Sequence, residues 1–162
     1  SLNMTNSHTA AFLLTHGARG ISFSLESSLQ DCSAIKRCFQ ERYAVDAPFF
    51  YTVYGRAELM LSEYCPINSV ICNHTDRNCG LCRQGAEYAL LDVKQNRSPT
   101  LCDESCRTHI LHYEVRNHID SIPEAKQHGI QHFLCTFTME GEADCHRIIT
   151  ACKAQLQMKQ GV

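Results

Sequence analysis

Six of the chain's eleven cysteines fall between Cys65 and Cys106, and the tightest pair reads Asn78-Cys79-Gly80-Leu81-Cys82. Thiolates are the strongest protein ligands for zinc and for iron–sulfur clusters, and a Cys-x-x-Cys turn offers two of them to one ion. The run Cys65, Cys72, Cys79, Cys82, Cys102 and Cys106 supplies four ligands with two to spare, so the favoured reading is a four-cysteine metal site. The competing reading is a disulfide framework or plain buried thiols. The odd count leaves one thiol unpaired and no secretory signal peptide is recognisable, so a reduced, cytoplasmic protein is expected. The other five, Cys32, Cys38, Cys135, Cys145 and Cys152, sit in apolar or amphipathic stretches, where reduced cysteine packs as a small core residue.

Other chemistry is sparse. No His-Glu-x-x-His helix and no Gly-x-Ser-x-Gly elbow occur, so neither of those protease and hydrolase signatures is written here. The length of 162 residues suits one domain with a proper core. No apolar run approaches the span needed to cross a bilayer, so no membrane partner is expected. A formal charge of −2, with arginines offset locally by carboxylates, argues against a broadly basic nucleic-acid surface.

The elements that must position these residues follow from periodicity. Asn6 to His16 reads as a helix stopped at Gly17, Gly20 to Leu25 as a short strand, and Ser28 to Tyr43 as an amphipathic helix. Phe49 to Tyr54 is a strand of aromatic and β-branched residues, followed by a short helical stretch around Ala57 to Ser62. Within the cysteine region, Tyr88 to Val93 and Ser98 to Leu101 flank the turn Lys94-Gln95-Asn96-Arg97 as a β-hairpin. Beyond it come a helix or broken helix from Val115 to Gln127, a strand from Ile130 to Thr138 and a helix from Ala143 to Gln157. His16-Gly17 and His128-Gly129 both fall where a helix gives way to a strand. A helix–glycine–strand–helix unit used twice is how parallel α/β folds are built.

The stretch from Val53 through Gly55-Arg56-Ala57-Glu58 to Tyr64-Cys65-Pro66-Ile67-Asn68 resembles the collagenase-like peptidases of unknown catalytic type, peptidase family U32. Asn78-Cys79-Gly80-Leu81-Cys82-Arg83, Leu91-Asp92, Asp103-Glu104-Ser105-Cys106-Arg107-Thr108 and the Gly17-Ala18 entry to Ser22-Phe23-Ser24-Leu25-Glu26 resemble the same family in the same order. The resemblance implies a β/α (TIM-like) barrel. Such barrels need roughly 250 residues, so the chain resembles the C-terminal part of the barrel domain, not itself expected to turn over substrate. The implied division is βα units over 1–62, a cysteine-rich metal-binding insertion with the hairpin over 63–108, and closing βα units over 109–162.

Members of this family carry a peptidase label, and several are linked to hydroxylation of RNA bases or of a quinone precursor on an iron–sulfur cluster. The resemblance therefore implies an RNA or peptide substrate for the full-length protein. It matches Cys65, Cys82 and Cys106 as ligands. The cysteine that relatives place three residues after the motif glycine is here Glu58, and Cys79 is the expected replacement. Cys72 and Cys102 are runners-up, expected to be neighbouring free thiols that alkylating reagents reach first. A four-iron–four-sulfur cluster and zinc both suit four thiolates. The rule that barrel function collects at strand C-termini points to Glu26, Tyr54, Arg56, Glu58, Thr138 and Glu140, with Glu26 and Arg56 as the catalytic candidates. The alternative is a non-catalytic, metal-stabilised structural or binding module. With barrel strands missing, open sheet edges are expected to drive self-association.

Overall fold

A computed structural model describes residues 3–72, 80–84 and 87–157, and at Cys72 and Arg83 the backbone alone. In chain order the elements are α1 (Ser7–Thr15), β1 (Ile21–Ser22), α2 (Leu29–Tyr43), β2 (Phe49–Gly55), β3 (Glu58–Ser62), β4 (Tyr88–Leu91), β5 (Arg97–Cys102), β6 (Thr108–Leu111), β7 (Arg116–Asn117), α3 (Ile122–Gln127), β8 (His132–Cys135) and α4 (Glu142–Gln157). A π-helical turn at Asn68–Cys72 and short 3-10 turns at Leu81–Arg83 and Ile119–Ser121 complete them. The chain divides into two compact units, residues 1–55 with 116–162, and residues 56–115.

In the first unit β2 is the central strand. It runs parallel to β1 (Ile21↔Phe49) and to β8 (Phe50↔His132 through Thr52↔Leu134), and β7 closes against its last residues antiparallel (Tyr54↔Asn117). The helices start and stop where side chains allow. Asn6 Oδ1 accepts from Thr9 N at 2.9 Å and caps α1. Ser28 and Asp31 form a reciprocal capping box at the start of α2. Gly17 and Gly129 adopt φ +96° and +78° just past α1 and α3, the left-handed exit that glycine makes without a Cβ clash. His16 and His128 occupy the two C-cap positions, so the repeated His-Gly step marks equivalent places in the fold. Met4, Ile21, Phe23, Cys32, Phe39, Phe49 and Ile130 fill the core. Phe49 stacks on Phe23 and meets Phe39 edge-on, with ring centroids 5.3 and 5.2 Å away.

The second unit is an antiparallel sheet in the order β3-β6-β5-β4. The expected β4–β5 hairpin forms, but its turn is Asp92–Asn96 instead of Lys94–Arg97: Leu91 faces Arg97, which joins the strand, and Asp92 Oδ1 accepts from Lys94 N and Asn96 N at 2.7 and 2.9 Å. Two local expectations fail. Residues 57–62 are not helical: good helix formers there pair with β6 (Met60↔Ile110, Leu61↔His109), an override of propensity by tertiary pairing. Likewise the stretch 115–127 opens as β7 and a 3-10 turn before α3, because Arg116 and Asn117 complete the ladder on β2. The described strands form a parallel-strand sheet and an antiparallel sheet, with no closed barrel among them.

Candidate functional site

Register in the second unit brings distant thiols together. Thr108, fully buried in β6, faces Ser62 of β3 on one side and Cys102 of β5 on the other. Cys65 follows Ser62 by three residues, and its Sγ lies 3.9 Å from Cys102 Sγ. The Asn68 N–H donates to Cys65 Sγ at 3.5 Å. Burial pushes the Cys102 thiol up to about 12 against a hydrogen bond with Thr108, and the neighbouring Cys65 and Cys82 add to the rise. A bound cation would invert that tendency, since a coordinating thiol gives up its proton.

Cys106 sits in a turn knotted by Asp103. The Asp103 carboxylate accepts from Ser105 N and Arg107 N, both at 2.9 Å, and from the Arg107 guanidinium at 2.7 Å. The Arg107 N–H, with its guanidinium, His109 and Ser105, brings Asp103 down to about 2 against the opposing effect of burial. Cys106 adopts φ +59°, which costs a side-chain-bearing residue ~1–2 kcal/mol. Glu58 is engaged with His109 Nδ1 at 2.6 Å. Among the described residues no three His, Cys, Asp or Glu side chains are arranged to hold an ion. Cys79 and the side chain of Cys72 lie outside the described residues. The described thiols nonetheless fit a thiolate-bound group in type: Cys65, Cys82, Cys102 and Cys106 are all partly buried and none is in a disulfide.

The two catalytic candidates are held by structural partners. Glu26 Oε2 accepts from Asn3 Nδ2 at 3.3 Å in the first unit. In the second, the Arg56 guanidinium donates to the main-chain carbonyls of His112, at 2.9 Å, and of Tyr113, while its Nε is buried without a hydrogen-bond partner among the described residues.

The C-terminal ends of the parallel strands converge elsewhere. Tyr54, at the end of β2, donates from its hydroxyl to Glu140 Oε1 at 3.1 Å, and Glu140 Oε2 accepts from Thr138 N at 2.7 Å and Met139 N at 3.1 Å. Beside β1 a cavity of ≈ 180 Å³ is lined by Ser24, Ser27, Ser28, Tyr51, Arg116 and His118, a set rich in donors. Burial, with Cys32 adjacent, raises the Tyr51 hydroxyl above its ordinary range, partly offset by Arg116. Arg116 and His118 escape a helical reading of 115–127; the β-branched Val115 before them was the available signal for a strand.

The order of these elements and motifs matches one family along nearly the whole chain. A family model described as peptidase family U32 matches residues 1–158. The chain belongs to peptidase family U32. No curated protein and no solved structure matches it significantly. Membership covers both units of this U32 chain, the parallel sheet as well as the cysteine-bearing one. No described helix of this U32 chain is long and apolar enough to cross a membrane.

Proposed function

We propose that this U32 chain is the C-terminal part of a β/α barrel enzyme whose cysteine-bearing unit holds a four-thiolate centre: a four-iron–four-sulfur cluster in this reading, zinc in the non-catalytic reading below. Three parallel strands, β1, β2 and β8, with helices between them support the barrel reading. The observation that carries the metal reading is the convergence of Cys65 on Cys102 at the end of β5, 37 residues away in sequence. The proposed ligands are Cys65, Cys79, Cys82 and Cys106, with Cys72 and Cys102 in reserve. Such a centre supplies redox or Lewis-acid chemistry when bound, and the protein's part is to hold the thiols in place. In the full-length protein the substrate class is RNA or peptide, by analogy with the family, and the open sheet edges favour self-association.

A non-catalytic, metal-stabilised module is the second reading. It is favoured by Glu26 and Arg56, both engaged by structural partners instead of standing free for substrate. Anaerobic purification followed by elemental analysis and a visible spectrum separates the readings. A brown protein with four irons and four sulfides per chain supports the cluster enzyme, as expected for four thiolates. A colourless protein with stoichiometric zinc supports the module, and a metal-free reduced protein overturns both.

A further inference from the structure

Cys65 and Cys102 form a matched pair of half-buried thiols, 3.9 Å apart at sulfur, set side by side by the β3-β6-β5 register around Thr108. A disulfide needs the two sulfurs to close to ~2.05 Å, a movement within reach of the bend that carries Cys65 out of β3. We propose that, when the metal centre is absent, a hydroperoxide oxidises Cys65 and Cys102 to a disulfide that withdraws Cys65 from the ligand set, so the centre is loaded only while this pair is reduced. The inference rests on the four-thiolate reading above and adds its regulation.

The chemistry balances in two steps. The Cys65 sulfur attacks one oxygen of the hydroperoxide, the O–O bond breaks, and the other oxygen leaves as an alcohol, or as water from hydrogen peroxide, taking the thiol proton. Cys65 is then a sulfenic acid. The Cys102 sulfur attacks the Cys65 sulfur, the S–O bond breaks, and the hydroxyl leaves with the Cys102 proton as water. Two thiols lose two electrons in total and the hydroperoxide gains them. Cys65 goes first because the Asn68 N–H is aimed at its sulfur. Cys102 resolves the sulfenic acid because it is already adjacent, which replaces a bimolecular encounter by an intramolecular one.

The test uses the chain as it stands. Reduced, chelator-treated protein is exposed to hydrogen peroxide, peptide-mapped by mass spectrometry, and offered zinc before and after dithiothreitol. The expected result is a Cys65–Cys102 linkage, loss of zinc uptake after oxidation, and its full recovery on reduction. Different pairing, or undiminished zinc uptake by the disulfide form, overturns the proposal. Reduced protein that takes up no zinc or iron at all sinks the four-thiolate reading itself, and is read before any oxidant is added. Cys102→Ser and Cys102→Ala add a check on role: both should load metal as the wild type does when reduced and form no such disulfide. Loss of metal from both reduced, folded variants would make Cys102 a ligand in its own right and overturn the switch.

Discussion

The Tyr54 hydroxyl donates a hydrogen bond to Glu140 Oε1 across 3.1 Å, tying the end of β2 to the loop that leads from β8 into α4. Burial by itself would raise the Glu140 carboxyl. The N–H groups of Thr138, Glu140 and Met139 and the Tyr54 hydroxyl outweigh it, and the group lies below its ordinary value of 4.5. A carboxyl lowered by folding stabilises the fold above its unfolded pKa and loses that contribution as pH falls through the folded value. Tyr54→Phe should raise the Glu140 pKa and move the acid end of the stability curve upward, and Glu140→Gln should abolish that component. Carboxyl-detected NMR titration with unfolding midpoints between pH 3 and 7 reads both; an unmoved Glu140 in Tyr54→Phe would show that the hydroxyl carries none of the shift.

Gly55 explains why the aromatic strand can approach β8 so closely. Its φ is +142°, and a Cβ built there would lie 2.8 Å from the Thr136 carbonyl oxygen and 3.0 Å from Thr136 Cβ. Both strain and contact oppose a side chain, because the opposing atom is backbone. Gly55→Ala should destabilise the protein by about 2–4 kcal/mol, at the upper end of ordinary substitutions. Denaturant unfolding of the variant measures it, and a change below ~0.5 kcal/mol would mean that β2 and β8 separate more readily than the packing indicates.

The opposite sign is expected at Ala44. It ends α2 in the left-handed conformation, φ +49° and ψ +28°, is exposed, and donates its N–H to Gln40 O. Nothing but helix termination is asked of this residue. Ala44→Gly should stabilise the chain by about 0.5–1 kcal/mol by removing the Cβ penalty, less the extra entropy glycine has when unfolded. Thermal unfolding would show a Tm raised by a few degrees. A lowered Tm would place α2's end elsewhere.

What could be read from residues alone tracks local determinacy. The helical spacing from Ser28 to Tyr43, the glycines past α1 and α3 and the paired strand runs on either side of Lys94–Arg97 each specify structure within a few residues, and each element appears, the hairpin with a turn that starts earlier, at Asp92. Residues 58–62 and 116–117 went astray because their strand state exists only through partners far along the chain, β6 for one and β2 for the other. The candidate site divides in the same way. Cysteine crowding marked the region, but that Cys102 stands beside Cys65 follows from a three-strand register, which no spacing encodes. The commitments of Glu26 to Asn3 and of Arg56 to two carbonyls were equally out of reach, since both depend on where a chain segment happens to pass.

That register revises which thiols an alkylating reagent finds first. Cys102 was expected to react early as a bystander, yet it is half-buried between Cys65 and Thr108 and its thiol is pushed up to about 12. At pH 8 such a group is thiolate on the order of one part in ten thousand, and the thiolate is the nucleophile. Cys32, raised to about 12 by burial and the Asp31 charge, and Cys135, raised likewise by burial beside Cys152 at 3.5 Å, belong to the same slow class. Iodoacetamide labelling with peptide mapping should therefore leave Cys32, Cys102 and Cys135 slow with or without metal. Cys65, Cys82 and Cys106 should be slow only while metal is bound and become reactive together when a chelator removes it, because a closed site that loses one ligand holds the others less firmly. Cys82→Ser, which takes one ligand away, should expose Cys65 and Cys106 without any chelator while the core around Phe49 keeps its amide protection. Early labelling of Cys102 in metal-loaded protein would break both the packing argument and the order derived from it.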